Sequence, residues 1–488
     1  MNGYTPEWVL FIGSILIFIS ILISKTGYKF GVPTLLLFLL VGMGFGEDGL
    51  GLKFDNMRDA QFVGMLGMSI ILFSGGMDTK LSDVKPILKQ GLMLSTIGVA
   101  IMTIVTGVFI YAIGYIETNT FNIIKLPLLT ALLLAATMSS TDSASVFNIL
   151  RSQKINLKHN LKPLLELESG SNDPMAYMLT IVLIQLVSGG QTSSIDVLVS
   201  FVIQFALGGF IGFAVGKFAV LAVNNFNLNN RSLYSILILA FVFFTFTITD
   251  MAKGNGYLAV YIAGMVLGNN KLLNRKDIST FMNGLTWFFQ ILMFILLGLL
   301  VDPSQMFVVA IPAVLISLFM IFVARPISVF SCMLPFHRSF PFKAMLFTSF
   351  VGLRGAAPII FATYPVVANV PGSDLIFNVV FFVTLFSLVF QGMSIAPVAR
   401  LLKLDSPYIE KESEFGIELP DEIDRELHDM TVTEDDLTNG CRIMDLKLKK
   451  GTVIIPVKRG KKLLSPSGSV ELNVNDKLLL IDELNNNN

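Results

Sequence analysis

The sequence predicts an all-α polytopic membrane protein: about 13 transmembrane helices with inverted repeats and crossed unwound helices, followed by a small cytosolic α/β domain. Three observations predict it: composition, apolar runs of bilayer length, and a change of character near residue 404. Of 488 residues, 53% are hydrophobic and 14% charged, and the mean hydropathy is +0.71. An ordinary globular domain is about one quarter charged.

Apolar runs of roughly 17 to 25 residues are long enough to cross the hydrocarbon core as helices. They fall at approximately 8–24, 32–46, 60–77, 91–115, 127–150, 163–188, 197–223, 232–251, 257–268, 284–301, 305–333, 344–365 and 374–400. The first begins after MNGYTPE without a basic n-region or a cleavage-like end, so it is expected to be a span and not a signal peptide. The second and ninth are short, and several carry Gly or Pro, as broken transporter helices do.

Loop charge tests this assignment, because Lys and Arg accumulate on the cytoplasmic side. One set of alternate loops holds 17 basic residues, from Lys25 to Lys403, and the other only Lys53, Arg58, Lys125 and Lys253. The expected orientation has the N-terminus outside and the C-terminal domain cytoplasmic. An internal echo supports it: VGMGFG (41–46) returns as AGMVLG (263–268), and LFSGGMD (72–78) as LLGLLVD (296–302). Each match lies seven spans further on, an odd number, so the halves enter the membrane oppositely, as inverted repeats do.

From residue 404 the chain turns acidic and polar, which makes 404–429 a linker. Residues 440–484 alternate in short β-like runs, CRIMDLKL, TVIIPVK and KLLLID, which suggests a small α/β or β-rich domain. The expected division is 1–403, 404–429 and 430–488.

Several function classes are excluded. Lys plus Arg and Asp plus Glu each number 35, so nothing points to nucleic acid. Cys332 and Cys441 lie too far apart in character and sequence to suggest a disulfide framework or metal site. His159, His337 and His428 fall in loops or the tail, and no GxxxxGK occurs, which argues against a histidine-based metal site and against ATP-driven pumping. No cofactor is expected.

Ionisable residues deep in a span cost several kcal/mol on insertion scales and mark ion or substrate paths. Four qualify: Asp142 in ATMSSTDSASV, Glu168 and Asp173 in ESGSNDPMAY, and Arg354 in VGLRGAAPII. Arg325 and Lys217, nearer segment ends, are expected to snorkel. The hydroxyl-rich run around Asp142 can unwind and offer backbone carbonyls. GLRGAAP is its counterpart, 212 residues on from Asp142 to Arg354. Two unwound stretches that cross place opposed dipole ends together, and Asp142 and Arg354 carry charges suited to compensate them.

Glu168 and Asn172, and Ser169 and Asp173, are each four apart and stack in adjacent rows of one helix. A hard monovalent cation asks for oxygen ligands, which Asp173, Ser169, Thr141 and nearby carbonyls can supply. A buried carboxylate without a permanent partner holds a proton or exchanges it for a cation, and that competition at one site is an antiport mechanism. Glu168 is expected to pair with Arg354, leaving Asp173 free; Glu166 should face water.

STDS, ESGSNDPMA and GLRGA, in that order, resemble the monovalent cation/proton antiporters of the sodium/proton-exchanger type. With the C-terminal stretch, the likeness is to the bacterial potassium/proton antiporters carrying a regulatory domain of the potassium-conductance-regulator C-terminal (RCK_C) kind. The resemblance implies a homodimer in the bacterial inner membrane, with thirteen-helix protomers and an elevator-like core. By it, Asp173 binds cation and proton, Asn172, Ser169, Glu168 and Thr141 support it, Asp142 is a helix-crossing charge, and Arg354 pairs with Glu168. It also implies electroneutral one-for-one exchange of K+ or Na+ for H+, and a nucleotide or cyclic dinucleotide at the terminal domain, where KRGKK (458–462) is the one basic patch. Ser143 is a departure, since many relatives have proline after Thr-Asp. The competing reading is a tail-gated cation channel, although no TVGYG-like filter segment is present; an intramembrane aspartyl enzyme using Asp142 and Asp173 lacks any further motif.

Overall fold

Inside a bilayer every backbone polar group must be satisfied internally, which for these long apolar runs means α-helix. The computed structural model describes residues 5–30, 33–52, 54, 56–116, 124–189, 194–301, 303–407, 427–437, 440–446, 448, 452–460 and 462–481. The helices run, in order, α1 (Pro6–Phe30), α2 (Thr34–Phe45), α3 (Met57–Asp78), α4 (Leu81–Val84), α5 (Leu88–Met93), α6 (Val99–Gly114), α7 (Leu128–Thr137), α8 (Ser143–Ser152) and α9 (Leu161–Val187). They continue with α10 (Ser194–Asn225), α11 (Ser232–Met251), α12 (Gly256–Gly268), α13 (Arg275–Leu299), α14 (Pro303–Phe319), α15 (Arg325–Met333), α16 (Phe342–Phe350), α17 (Ala356–Val367) and α18 (Ser373–Leu401). Among the described residues, eight helices or continuous helical stretches are long and apolar enough to cross a membrane, and four further apolar helices are shorter.

The two halves repeat one plan. A π turn, Leu94–Gly98, joins α5 to α6, and another, Met320–Ala324, joins α14 to α15. Each is followed by a helix broken in its middle, α7/α8 and then α16/α17, and then by a long helix, α9 and then α18. The echoed glycine-rich stretches close α2 and α12; the last residue of the second LLGLLVD echo, Asp302, lies outside the described residues.

Reciprocal packing accompanies the echo: α2 lies against α13, and α3 against α12. Gly42 permits the first contact, because a Cβ there would meet the Ile295 carbonyl and stand 2.9 Å from Gly298 Cα. Small residues that let backbones approach are the usual means of tight helix packing in lipid.

Two short strands, β1 (Ile155–Leu157) and β2 (Asp405–Pro407), pair antiparallel with Asn156 opposite Ser406. The Lys158 N–H adds a bond to the Leu404 carbonyl at 3.0 Å. The chain leaving α18 is thereby fastened to the loop between α8 and α9. The molecule divides just beyond this clasp into two compact units, Met1–Pro407 and Tyr408–Asn488.

In the second unit, β3 (Leu427–Thr431), β4 (Val453–Arg459), β5 (Lys462–Leu464) and β6 (Lys477–Ile481) form an antiparallel sheet of order β3-β6-β4-β5. Val432, Val457, Leu472, Leu478 and Leu480 are its core. The β4–β6 register shifts between Ile454 and Val457, where Pro456 lacks the N–H that a regular ladder requires. CRIMDLKL, expected to be β-like, holds instead a 3-10 turn at Ile443–Asp445. Asp445 Oδ2 accepts the Arg442 N–H at 3.1 Å and curls the chain back. Strand β3 falls where the sequence predicts no strand, and most of the 404–429 linker lies outside the described residues.

Candidate functional site

The two broken helices cross at their breaks. Residues 138–142 leave helical geometry between α7 and α8, and 351–355 between α16 and α17. The Asp142 N–H donates to the Leu353 carbonyl at 2.7 Å, which ties one break to the other by backbone. Gly355 makes the approach possible: a Cβ there would lie 2.9 Å from Asp142 Cβ and 2.5 Å from its Oδ2.

Asp142 caps α8. Its carboxylate accepts the Ser145 N–H at 3.1 Å and the Ser145 hydroxyl at 2.5 Å, placing a negative charge at the positive end of the helix dipole. Arg354 sits at the opposite kind of end. Its guanidinium donates to the Gly352 carbonyl at 2.5 Å, just beyond the C-terminus of α16. The Phe350 carbonyl at that terminus accepts from Gln391 of α18 at 2.8 Å, and Gln391 Oε1 accepts from Ser387.

Helix α9 closes the first break from the side. Ser169 Oγ donates to the Thr141 carbonyl at 2.9 Å and accepts the Ser143 N–H at 3.1 Å. A proline at 143 has no N–H for that second bond, so the Ser143 departure is matched by a local contact. Asn172 Nδ2 donates to Thr141 Oγ1 at 2.6 Å, while Asn172 Oδ1, fully buried, has no hydrogen-bond partner among the described residues. The Ser140 hydroxyl donates to Asp173 Oδ1. Pro174 removes the N–H that would have reached the Gly170 carbonyl, which frees that oxygen one turn before Asp173.

Glu168 does not pair with Arg354. Its carboxylate lies 2.5 Å from Arg325 Nη2, and both side chains are at least 97% buried. The expectation that Arg325 snorkels is likewise overturned: the π turn at Met320–Ala324 adds a residue to the helix just before Arg325 and rotates its side chain inward. Arg354 Nη2 finds Met102 Sδ at 3.7 Å, and the Arg354 backbone N–H donates to Ser387 Oγ at 3.1 Å.

A cavity of about 280 Å³ opens on this constellation. Asp173, Ser140, Asp142, Ser169 and Gly170 line it, together with Asp78, Glu166 and Arg151. Glu166, half-exposed, lies 3.9 Å from Lys162 Nζ. Asp173, Asn172, Ser169, Thr141 and Asp142 are therefore brought together, whereas Glu168 belongs to a separate buried ion pair. Sequence reasoning missed Ser140, although it stood inside the quoted hydroxyl run, and Arg325, whose inward aim depends on the π turn.

Residues 14–401 match the family described as sodium/hydrogen exchanger, transmembrane. The chain is 38% identical over 476 residues to the K(+)/H(+) antiporter NhaP2 of Shewanella sp. (strain MR-4), covering 97% of this chain and 80% of that protein. It is 42% identical over 400 residues to the K(+)/H(+) antiporter NhaP of Alkalimonas amylolytica, covering 82% and 67%. Its fold resembles that of the sodium proton antiporter MjNhaP1 from Methanocaldococcus jannaschii at pH 8, with a TM-score of 0.69, 22% identity, and coverage of 81% of this chain and 99% of that one.

Proposed function

This chain belongs to the sodium/hydrogen exchanger family, and on that footing we propose that it is a secondary active antiporter exchanging a monovalent cation, K+ or Na+, for H+. The observation that carries the mechanism is the contrast among the buried carboxylates. Glu168 has Arg325 at 2.5 Å, and Asp142 has the N-terminus of α8. Asp173, among the described residues, has only the Ser140 hydroxyl while facing the cavity.

Asp173 is neutralised by one proton or one monovalent cation, in competition. Ser140, Asn172 Oδ1 and the Gly170 carbonyl are the oxygens that complete a cation's shell. Ser169 and Thr141 brace the unwound stretch, and Asn172 joins it to α9. Either occupant leaves the site with the same charge, so exchange is one for one and electroneutral. Carrying a net charge instead would couple each crossing to the membrane potential by about 2.3 kcal/mol per 100 mV.

The reading includes thirteen crossings in inverted halves, an outside N-terminus, a cytoplasmic C-terminal domain, an elevator-like core and a homodimer in the bacterial inner membrane. The basic-loop bias and the repeated π-turn and broken-helix plan support the topology. An RCK_C-like nucleotide-binding role for the terminal domain rests on resemblance alone, since Arg459 of the KRGKK patch is engaged by Asp476.

Liposomes with a trapped pH dye test the function. Potassium, sodium or lithium salts added outside are expected to alkalinise the lumen with the parent and not with Asp173→Asn. Undiminished exchange by folded Asp173→Asn contradicts the assignment.

A further inference from the structure

Of the α9 residues that line the cavity, Asp173 is the last, and the next turn of the same helix face is closed by aromatic packing. Glu166, Ser169 with Gly170, and Asp173 follow one another at helical spacing along α9 and all line the cavity. Tyr177 is the next residue in that row, and it stands beyond the lining. Its ring packs edge-on against Tyr257 of α12, with centroids 4.8 Å apart at 89°, and against Tyr364 of α17, at 5.3 Å and 72°. The Tyr257 and Tyr364 hydroxyls are 3.3 Å apart. Phe361 and Phe246 fill the sides.

Tyr257 is fully buried, and Tyr364 is half-buried. Asp250, one turn beyond Phe246 on α11, is exposed, and Phe246 packs on Tyr257 with centroids 5.0 Å apart. The only other polar tie at this level that joins α9 to α12 among the described residues is Asn255 Nδ2 to the Pro174 carbonyl, at 2.7 Å. Three rings drawn from three helices, held by edge-to-face contacts and one hydroxyl pair, form a seal that can part without unfolding any helix.

We propose that Tyr177, Tyr257 and Tyr364 are the gate on the side of Asp173 opposite the cavity, and that separation of Tyr257 from Tyr364 admits cation and proton from that side. The proposal rests on the antiport reading. While the rings are together, Asp173 communicates only with the cavity. When they part, the phenol oxygens line the opened path and offer ligands to a partly dehydrated cation on its way to Asp173. Tyrosine in place of phenylalanine suits both duties, since the ring excludes water and the hydroxyl lines the path.

Photo-oxidative coupling of neighbouring tyrosines, which joins two rings through a carbon–carbon bond with loss of two electrons and two protons to the added oxidant, tests the gate in the reconstituted protein. Exchange is expected to fall in proportion to dityrosine fluorescence in the parent. Tyr257→Phe/Tyr364→Phe keeps both rings and leaves Tyr177 no coupling partner among the three, so treatment should not change this variant's rate measured against its own untreated rate. Full exchange by parent in which peptide mapping finds the Tyr257–Tyr364 cross-link, or equal fractional inhibition of the treated double variant, overturns the gate. A second variant reads the seal without coupling: Tyr364→Ala is expected to leak protons with no counter-cation present, and a tight Tyr364→Ala overturns the gate as well. Absence of exchange in the untreated parent would instead remove the antiport reading.

Discussion

The two breaks at the centre of the molecule share a plan but not a chemistry. The first, at 138–142, is lined by hydroxyls and a carboxylate, borders the cavity, and is braced by Ser169 and Asn172. The second, at 351–355, is glycine and backbone around an arginine whose polar contacts run to Gly352, Ser387 and Met102. The two breaks divide the labour. One break presents oxygens to the ion, while the other supplies the surface on which the first is held.

The largest effect is expected at the Glu168–Arg325 pair, which sits outside both breaks. Removing one partner of a buried pair costs about 3–5 kcal/mol. Arg325→Gln should therefore lower the melting temperature far more than Arg354→Gln, whose guanidinium is answered by a neutral carbonyl and a sulfur. Equal melting of the two variants would return Glu168 to Arg354.

Next comes the crossing itself. Asp142→Ala removes the side-chain cap of α8 while keeping the backbone bond to Leu353. A lost N-cap costs about 0.5–2 kcal/mol. The expected outcome is a modest fall in melting temperature with cation-driven exchange retained at a lower rate. Complete loss of exchange at unchanged stability would give Asp142 a direct place among the ion's ligands.

The smallest effect is local to the second unit. Burial pushes the Asp476 carboxyl upward, but hydrogen bonds from Arg459 and the Asn473 N–H more than reverse it, and the group sits below the usual carboxylate range. A carboxyl depressed in the folded state stabilises fully above its unfolded value, about 3.9, and loses that contribution as pH falls through the folded value. Resistance of residues 427–481 to proteolysis within the full chain should decline across that acid range in the parent. Asp476→Asn should flatten the decline; an unchanged acid profile would show that Asp476 is not its source.

Much of this was legible in the sequence because hydropathy and small polar runs act locally. The hydroxyl run unwinds over 139–142, just before α8 begins at Ser143, where a Leu-rich helix would not, and Asn172 and Asp173 stand where i,i+4 spacing puts them. The partner of Glu168 was not legible. Arg325 is 157 positions away, and its inward aim comes from a π turn among Met320–Ala324 that no local propensity announces. Tyr177 reads as one more aromatic in an apolar helix, since its meaning depends on Tyr257 and Tyr364 arriving from elsewhere. CRIMDLKL failed as a strand because Asp445 bonds back to Arg442, a side-chain preference that alternation of apolar residues does not report.

The most direct measurement is the rate of cation-driven proton exchange by the parent in liposomes clamped at zero and at inside-negative potential with an ionophore for an ion that the protein does not carry. If Asp173 alone exchanges one proton for one monovalent cation, the two rates coincide. A rate that follows the potential would contradict this, and would mean that a second charged group, with Asp142 and the Glu168–Arg325 pair the first to test, changes its charge during the cycle.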